Sequence, residues 1–283
     1  MTNNRISEMA RKYTDHSMIE AHASLPPYPE TRARLLFCFL QGSQTEKEQE
    51  LYALAVSLAQ LGLETHDLVD ETPKAESLGQ ARTRQIKVLA GDYFNGRFYQ
   101  ILSQADRVDI VKLVTKAISE VNRLKVNLYE RFRALKLTAE EYLEHSVAIR
   151  SELFLAFAKF IPIRNAERFS ELFRSFVRCE MICEELNRSS SSDIRYGWAF
   201  WYILQIAVSD DRERMIDGDS NALNVMLHKY KVHGILAQML QSQVNTIKRF
   251  VEQLDSESLK AEISRLAEPF ASLLSVPKVA EEI

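Results

Sequence analysis

The sequence predicts an all-α protein, a single bundle of about ten helices that forms one domain over residues 1–283. The chain has only 8 Gly and 7 Pro, and the prolines lie mostly between long segments in which apolar residues recur every three or four positions. That spacing is the period of an amphipathic helix. Alternating apolar and polar runs bounded by turn residues, which are typical of strands, are missing.

Two capping boxes predict where two helices begin. In Thr45–Glu48 the threonine oxygen can accept the N–H of the glutamate, whose carboxylate reaches back to the threonine N–H. This box predicts a helix through about Leu63. The same pattern at Thr138–Glu141 predicts a helix that continues to about Ile161.

Two long apolar stripes predict two further helices, over residues 107–135 and 164–188. The loop predicted at Ser189–Asp193 follows them, and Asp193 can cap the next, very apolar helix. Two or three more helices are expected after residue 219. The apolar positions of the two stripes are Val108, Val111, Val114, Ile118, Val121 and Leu124 in the first, and Phe169, Phe173, Phe176, Ile182 and Leu186 in the second.

Charge and composition exclude several classes of protein. With a net charge of −3, the chain lacks the excess of basic residues that is typical of nucleic-acid-binding proteins. Three cysteines are too few for a disulfide framework, and Cys179 and Cys183 are expected to be buried thiols rather than metal ligands. The polar N-terminus does not resemble a signal peptide, and the longest uncharged run, Tyr196–Ser209, is too short to cross a bilayer. We therefore expect a cytoplasmic protein, with peripheral membrane contact left open.

An acidic stretch follows the helix that the first capping box begins. In "ETHDLVDE", residues 64–71, four acidic side chains surround one histidine. On a helix Asp67 and Asp70 share a face, and His66 is a neighbour of Asp70. Two carboxylates one turn apart can hold Mg²⁺, whose remaining positions water or phosphate oxygens fill. The alternative is a solvated helix end, which this stretch taken alone favours.

A second segment bears on the choice between a Mg²⁺ site and a solvated helix end. "VLAGDYFNGRFYQIL", residues 88–102, combines glycine, an acid and several aromatic residues. Gly91 permits a close backbone approach, and Asp92 can cap a helix or pair with a cation. Tyr93, Phe94 and Phe98 give the helix that follows a broad aromatic face. Taken alone, this segment too has a simpler interpretation, a core helix with a capping aspartate.

Together the two segments resemble the trans-prenyl diphosphate synthases, in which an apolar helix ends in DDxxD and a later helix begins with a Gly-Asp-Tyr/Phe turn. Without gaps, His66 and Asp67 fall on the first two aspartates of that motif and Asp70 on the third. The chain is most similar to component I, the small subunit of heterodimeric heptaprenyl diphosphate synthases of Gram-positive bacteria. The specific resemblance covers about Leu51–Leu102. It implies an isoprenoid-synthase-like fold and a vestigial diphosphate site. The residues of that site are His66, Asp67, Asp70 and Asp92.

Two departures from an active synthase concern this first motif. His66 replaces the leading aspartate, and an imidazole does not supply the hard oxygen that Mg²⁺ prefers. Active synthases also carry paired arginines shortly after the motif, where this chain has only Lys74. Arg82, Arg84 and Lys87 come later in the chain and are weaker candidates to bind phosphate.

A third departure concerns the second aspartate-rich motif of the family, which follows a Phe-Gln pair. Gln205 is present, but Asp210 and Asp211 are displaced and followed by Arg-Glu-Arg. We interpret these acids as an interhelical loop, and Asp217–Asp219 as a turn and cap. Ionisation of an allylic diphosphate needs several Mg²⁺ ions and cations around the leaving group. We therefore expect no chain elongation by this protein alone.

The resemblance implies a function that depends on a partner. It predicts a heterodimer with a catalytic subunit that carries both intact motifs and the Mg²⁺, while this subunit holds no metal or cofactor. In the family the two subunits add isopentenyl units to farnesyl diphosphate and make the C35 chain of menaquinone, and the small subunit bears on product length. Tyr93, Phe94 and Phe98 are candidates to wall the product tunnel or the interface, with the helices around 51–63 and 92–102. The alternative is that these aromatic residues fill the chain's own core.

Three other interpretations stay open. His66 and Asp67 match the HD pair of helical metal-dependent phosphohydrolases, with His22 as the first ligand and Asp106 or Asp193 as the last. This interpretation leaves the aromatic segment at 88–102 unexplained. The chain can also be a self-sufficient prenyl or terpene synthase with degenerate motifs. The third interpretation is a helical scaffold unrelated to isoprenoids.

Overall fold

The computed structural model describes residues 5–69, 77–190, 196–217 and 220–275. Within these ranges the chain forms thirteen α-helices, one 3₁₀ helix at Ala156–Phe160 and no β-strand, so the predicted all-α class is confirmed. Short helices span too few turns to show a period, which is why about ten were expected. The helices are α1 Arg5–Thr14, α2 Ser17–His22, α3 Glu30–Phe39, α4 Glu46–Asp67, α5 Leu78–Gln104, α6 Val108–Arg133, α7 Ala139–Leu155, α8 Ile163–Ser190, α9 Trp198–Ile206, α10 Ser209–Asp217, α11 Ser220–Lys229, α12 Val232–Glu252 and α13 Glu257–Ser275.

The chain divides into two compact units. Unit 1 consists of Met1–Ser119 and Glu152–Phe169, and unit 2 consists of Glu120–Ser151 and Ser170–Ile283. The boundaries between the units fall inside α6, α7 and α8. The single domain over residues 1–283 stays a prediction.

Unit 1 is built around α4. Helices α1, α3 and α5 pack against α4, and Ile6, Ala33 and Ala53 form a buried cluster between α1, α3 and α4. Every residue from 52 to 63 is buried, and a helix buried all round belongs to a core. The expectation that the helix around 51–63 contributes to a subunit interface is therefore wrong, because that helix leaves almost no face for a partner.

The predicted capping boxes form at Thr45 and at Thr138. In the first, Glu48 Oε2 accepts the Thr45 N–H at 3.0 Å. A third box, which was not predicted, begins α5. Ser77 Oγ accepts the Gln80 N–H at 3.3 Å, and Gln80 Oε1 accepts the Ser77 N–H at 3.0 Å. Its Ser-x-x-Gln spacing is the signal that sequence reasoning missed.

The third box explains why α5 differs from its prediction. The helix begins at Leu78 and continues to Gln104, so Gly91 and Asp92 lie in its interior. Asp92 therefore caps no helix, and the expectation of a helix beginning near it is wrong. The buried side of α5 carries Ala90, Gly91, Phe94, Phe98 and Leu102.

The apolar stripes of α6 and α8 differ in how well they were predicted. In α6 the buried residues include Ile110 and Val114, whereas Val108 is 68% exposed. The predicted stripe of α6 was therefore wrong at its first position. Helix α8 extends through Ser190, so the predicted loop loses its first two serines to the helix, and residues 191–195 lie outside the described residues. The predicted α8 positions that are buried are Phe169, Phe173, Phe176 and Ile182.

Unit 2 includes the very apolar helix α9 and the packed pair α12 and α13. In the described part of the chain no helix is long and apolar enough to cross a membrane. Cys179 is buried, as predicted, and Cys183 is partly buried. Burial raises the pKa of Cys179 to about 12 and that of Cys183 to about 11.

Candidate functional site

The candidate site lies where α4 and α5 cross, and two glycines set the distance between these helices. A Cβ on Gly62 would lie 2.7 Å from Asn95 Oδ1 and 3.1 Å from the Gly91 carbonyl oxygen. A Cβ on Gly91 would lie 2.6 Å from His66 Nε2. A Cβ at either position would crowd its neighbours, so glycine is what permits this crossing. The close approach predicted at Gly91 is present, and the imidazole of His66 occupies it.

His66 pairs with Asp92 across this crossing. Its Nε2 lies 3.3 Å from Asp92 Oδ1, with the histidine side chain 33% exposed and the aspartate 67%. Asp92 was expected either to cap a helix or to pair with a cation; it caps no helix and contacts the imidazole of His66. An ion pair this exposed adds little stability. The contact directs the imidazole of His66, at the leading position of the motif, toward the Asp92 carboxylate of α5.

The structure describes one of the two aspartates predicted beside His66. Asp67 is exposed and ends α4, whereas Asp70 lies outside the described residues. Just beyond Asp67, the Leu68 carbonyl accepts a hydrogen bond from Lys87 Nζ at 2.6 Å. A cation there satisfies a backbone carbonyl and complements the dipole at the end of α4. Lys87, a weak candidate to bind phosphate, therefore has a structural role.

The other candidate cations differ in exposure. Lys74 lies outside the described residues, Arg82 is exposed, and Arg84 is partly buried. A role of Arg82 and Arg84 in binding phosphate stays a prediction.

A buried cation that was not predicted pairs with Glu64, two residues before His66. Arg32 of α3 is 5% exposed, and its Nη1 donates to Glu64 Oε1 at 3.1 Å. Gln60 Nε2 donates to the same oxygen at 2.8 Å. A buried guanidinium needs an acid beside it, and Glu64 supplies that acid. No local pattern marked Arg32, because Ala33 and Arg34 separate it from the apolar run that begins at Leu35.

The predicted aromatic residues divide into buried and partly exposed side chains. Phe94 and Phe98 are completely buried in unit 1, which favours the alternative that they fill the chain's own core. Tyr93 is partly exposed, and its ring centroid lies 4.7 Å from the Arg97 guanidinium carbon. The edge of the His16 ring contacts the same tyrosine, with 5.9 Å between ring centroids. A role of these aromatic residues at a tunnel or interface stays a prediction.

The second acidic stretch forms a helix start rather than the predicted loop. Asp210 and Asp211 lie in the first turn of α10. Asp211 accepts a hydrogen bond from the Tyr230 hydroxyl at 2.6 Å and pairs with Lys229 Nζ. The Lys229 ammonium and the Tyr230 hydroxyl hold the pKa of Asp211 below its usual range. Asp211 therefore fastens α10 to the end of α11, while Gln205 accepts the backbone N–H of residue 139.

A magnesium site does not fit the donors that the structure describes. Among these residues no group of three or more His, Cys, Asp and Glu could hold a metal ion. At the end of α4 the structure describes Asp67 and His66, and the imidazole of His66 contacts Asp92, whereas Mg²⁺ takes oxygen ligands in octahedral geometry. His22 and Asp106 of the HD interpretation belong to no such group among the described residues, while Asp193 and Asp219 lie outside those residues.

Unit 2 also contains a buried acid that no pattern indicated. Glu185 is 2% exposed and accepts the Trp198 N–H at 2.9 Å and the Tyr142 hydroxyl at 3.3 Å. Burial raises the pKa of Glu185, and Arg188 lies 3.1 Å away. A Cβ on Gly197 would lie 2.5 Å from Glu185 Oε2. This carboxylate joins α8 to the start of α9, and its partners are those of a structural contact.

Comparison with solved structures identifies the fold. A decaprenyl diphosphate synthase from Rhodobacter capsulatus superposes with a TM-score of 0.68 at 16% identity, over 96% of this chain and 99% of that one. A geranylgeranyl pyrophosphate synthase from Lactobacillus brevis gives 0.71 at 13% identity, over 95% and 94%. A heptaprenyl diphosphate synthase from Staphylococcus aureus gives 0.68 at 12% identity, over 96% and 98%. At such identities the likeness shows the fold alone, that of the isoprenyl diphosphate synthases.

Sequence comparison is more specific. Heptaprenyl diphosphate synthase component 1 of Geobacillus stearothermophilus is 34% identical over 93 residues, which make up 32% of this chain and 40% of that protein. The match thus spans well under half of that relative. The profile of the family described as heptaprenyl diphosphate synthase (HEPPP synthase) subunit 1 matches residues 16–199, more than half of the chain. The chain therefore belongs to the heptaprenyl diphosphate synthase subunit 1 family.

Proposed function

We propose that this protein is the accessory, non-catalytic subunit of a heterodimeric heptaprenyl diphosphate synthase. Its partner is a catalytic subunit with two intact DDxxD motifs. The pair condenses isopentenyl diphosphate onto farnesyl diphosphate, and the C35 product supplies the side chain of menaquinone. One observation carries the proposal: on a synthase fold, the leading motif position is a histidine engaged with Asp92.

The electrostatics of the reaction explain why such a chain needs a partner. Loss of diphosphate from an allylic substrate leaves a cation on the hydrocarbon and concentrates negative charge on the leaving group. Mg²⁺ ions and cationic side chains must neutralise that charge. His66 offers nitrogen instead of oxygen, and Asp211 is already neutralised by Lys229. We propose that the catalytic subunit binds all of the Mg²⁺ that the reaction uses.

The descriptions of the relatives also support the proposal that a second subunit is required. The relative from Geobacillus stearothermophilus is a component 1, and the family is a subunit 1. Both descriptions imply a second component, which we assign as the catalytic one. A growing prenyl chain needs a dry, apolar tunnel between helices, and whatever closes that tunnel limits the length of the product. We propose that the accessory subunit contributes to that limit.

Co-expression with the catalytic subunit tests this function. Cells that produce both chains should accumulate C35 product, whereas the catalytic subunit with an empty vector should give little product or a different length. Chromatography of the dephosphorylated lipids measures both outcomes. Full-length product at full rate from the catalytic subunit alone would contradict the proposal.

A second arm of the experiment addresses product length. Tyr93→Ala changes a partly exposed ring and leaves the buried Phe94 and Phe98 in place. A change in the distribution of product lengths at unchanged subunit affinity would support a role of this aromatic face beside the growing chain. An unchanged distribution would assign Tyr93 to structure alone.

A further inference from the structure

The C-terminal end of α6 exposes apolar side chains among cations. Val126 and Tyr129 are each 56% exposed, and Leu135 and Tyr196 are each 50% exposed. Single apolar residues are normal on a surface, but a group of four in one place marks an interaction surface. We call this surface the α6 end patch and define it by residues that all belong to unit 2: Val126, Tyr129, Arg133, Leu135, Lys136 and Tyr196.

Helix geometry places most of the patch on one side of α6. Val126, Tyr129 and Arg133 are separated by three and four residues and therefore share a face of the helix. The Arg133 guanidinium carbon lies 5.9 Å from the Tyr129 ring centroid, so a cation lies over an exposed ring. Leu135 and Lys136 follow directly after the last residue of the helix.

Tyr196 joins the patch through aromatic contacts. Its ring centroid lies 4.5 Å from that of Phe132, which is partly buried in α6. Phe132 in turn meets the completely buried Trp201 in an edge-to-face contact, with 5.5 Å between the centroids. Such aromatic pairs prefer fixed geometries, so this row of rings attaches the exposed tyrosine to the core of unit 2.

The charge of the patch is opposite in sign to that of the whole chain. Residues 123–136 contain five Lys and Arg and one Glu, which gives a net charge of +4, whereas the whole chain has −3. Arg133 and Lys136 are exposed and form no ion pair within the ranges that the structure describes. Cations placed beside apolar side chains in this way are attracted to anionic lipid headgroups.

Leu135 has a backbone conformation that is unfavourable for leucine. Its φ is +50°, in the left-handed region. Its N–H donates to the Phe132 carbonyl at 3.0 Å, and the Lys136 N–H donates to the Arg131 carbonyl at 3.2 Å, the two bonds of a Schellman motif. Glycine usually takes the left-handed position of this motif because it has no Cβ. A leucine that is half exposed there gains little burial in return, which indicates a role outside the fold.

We propose that the α6 end patch rests on the surface of a membrane that contains anionic lipids. The aliphatic and aromatic side chains enter the boundary between headgroups and acyl chains, and the two unpaired cations contact lipid phosphates. The sequence left peripheral membrane contact open, and the structure assigns that contact to this patch.

The mixture of side chains favours a bilayer over a protein as the occupant. The fully buried centre of a protein interface is depleted in charged residues, whereas Arg133 lies over the ring of Tyr129 within the apolar group. A bilayer accepts both kinds of side chain together, because its headgroups are charged and the acyl region below them is apolar. The long stems of Lys and Arg also let their charged ends stay at headgroup level.

Membrane contact has a consequence for the proposed function. A C35 chain is apolar and leaves water for a bilayer. A subunit held on that bilayer releases the product where it is used. This consequence rests on the proposed function, whereas binding of the patch to lipid does not, because it is measured with this chain alone.

Sedimentation with lipid vesicles tests the proposal. The full chain should bind vesicles of phosphatidylcholine with phosphatidylglycerol more tightly than vesicles of phosphatidylcholine alone, and rising salt should reduce that preference. Arg133→Gln and Lys136→Gln should each lower the partition coefficient for the anionic vesicles about fivefold. Lys248→Gln is the matched control: Lys248 is exposed on α12, outside the patch, and its replacement should leave binding unchanged.

Leu135→Gly separates binding from folding. Glycine relieves the left-handed backbone, so this variant should unfold about 2 °C above the parent. It should nevertheless bind anionic vesicles about tenfold more weakly, because an apolar side chain is lost from the boundary region. Leu135→Phe keeps an apolar side chain and should bind as the parent does. A lower unfolding temperature for Leu135→Gly would show that the leucine serves folding and would overturn the inference.

Three further outcomes would also overturn the inference. The parent could bind neither kind of vesicle, or both equally well. The variants at residues 133, 135 and 136 could bind anionic vesicles as tightly as the parent, which would place the lipid contact elsewhere. The catalytic subunit could displace the parent from vesicles and lose affinity for the same variants, which would make the patch a protein interface. None of these outcomes decides the proposed function, which co-expression tests separately.

Discussion

The two acidic stretches of this chain, one at the end of α4 and one at the start of α10, differ in the groups that contact their described side chains. In the first, a donor of the wrong type stands at the leading position, and His66 is directed at Asp92. In the second, the donor type is right, but Asp211 is buried, pairs with the Lys229 ammonium and accepts a hydrogen bond from the Tyr230 hydroxyl. The spacing of acids in a sequence therefore locates a stretch, whereas the groups packed against those acids decide what the stretch can bind.

The largest expected effect concerns catalysis and asks whether the first stretch alone is limiting. His66→Asp restores the missing oxygen but leaves Asp211 tied to Lys229. Removing one group that stabilises transition-state charge already costs about 10²–10³ in rate, and several are missing here. We expect His66→Asp, assayed alone with Mg²⁺, farnesyl diphosphate and isopentenyl diphosphate, to stay at background. Turnover by this variant alone would show that the second stretch is competent after all.

The next effect concerns the helix crossing that holds the first stretch. Gly62→Ala places a Cβ against the Gly91 carbonyl and the Asn95 side chain, and overpacking of this kind costs about 1–3 kcal/mol. Gly96→Ala is the matched control on the open side of α5 and should stabilise by up to about 1 kcal/mol. Urea unfolding of both variants measures the difference. Equal stability of the two variants would mean that the crossing is not tightly packed.

A smaller effect compares Asp211 of the second stretch with Asp92 of α5, the acid that contacts His66 of the first stretch. Asp211→Asn should lower the unfolding temperature more than Asp92→Asn, because Asp211 is buried and bonded to two groups, whereas Asp92 is 67% exposed. Exposed ion pairs contribute about 0–1 kcal/mol, so the change for Asp92→Asn should lie in that range. Calorimetry of the two variants tests the ranking, and the reverse order would contradict the role of Asp211 in joining α10 to α11.

The smallest effect is a dependence on pH. The pKa of Asp211 is lowered in the folded state, chiefly by the Lys229 ammonium, so its stabilising effect is fully present above the unfolded-state pKa of about 3.9. That effect is lost as the pH falls through the lower folded-state pKa. The stability difference between the parent and Asp211→Asn should thus be constant from pH 7 to about pH 5 and shrink below about pH 4. A difference that grows on acidification would have the wrong sign.

The helices were predictable where a local rule decides them. The capping boxes at Thr45 and Thr138 and the phenylalanine stripe of α8 all form as predicted, because caps and periodicity are properties of neighbouring residues. The start of α5 is also decided by a local rule, the capping box at Ser77, which the sequence interpretation passed over. The cap was considered at Asp92, which lies in the interior of the helix instead.

The candidate site was only partly predictable, because contacts between distant segments decide its chemistry. The close approach at Gly91 and the pairing of Asp92 were both anticipated from residue type. That the partner of Asp92 is His66, and that Arg32 is neutralised by Glu64, depends on how α3, α4 and α5 pack, which no local rule reports. The burial of Phe94 and Phe98 within unit 1 depends on packing in the same way.

The most direct test measures incorporation of radiolabelled isopentenyl diphosphate into prenyl product by purified proteins. Three samples suffice: this chain alone, the catalytic subunit alone, and an equimolar mixture, each with Mg²⁺ and farnesyl diphosphate. We expect background from this chain alone, little product from the catalytic subunit alone, and efficient synthesis of a C35 product only in the mixture. Turnover by this chain alone, or a catalytic subunit that gains nothing from its addition, would contradict the assignment of an accessory subunit.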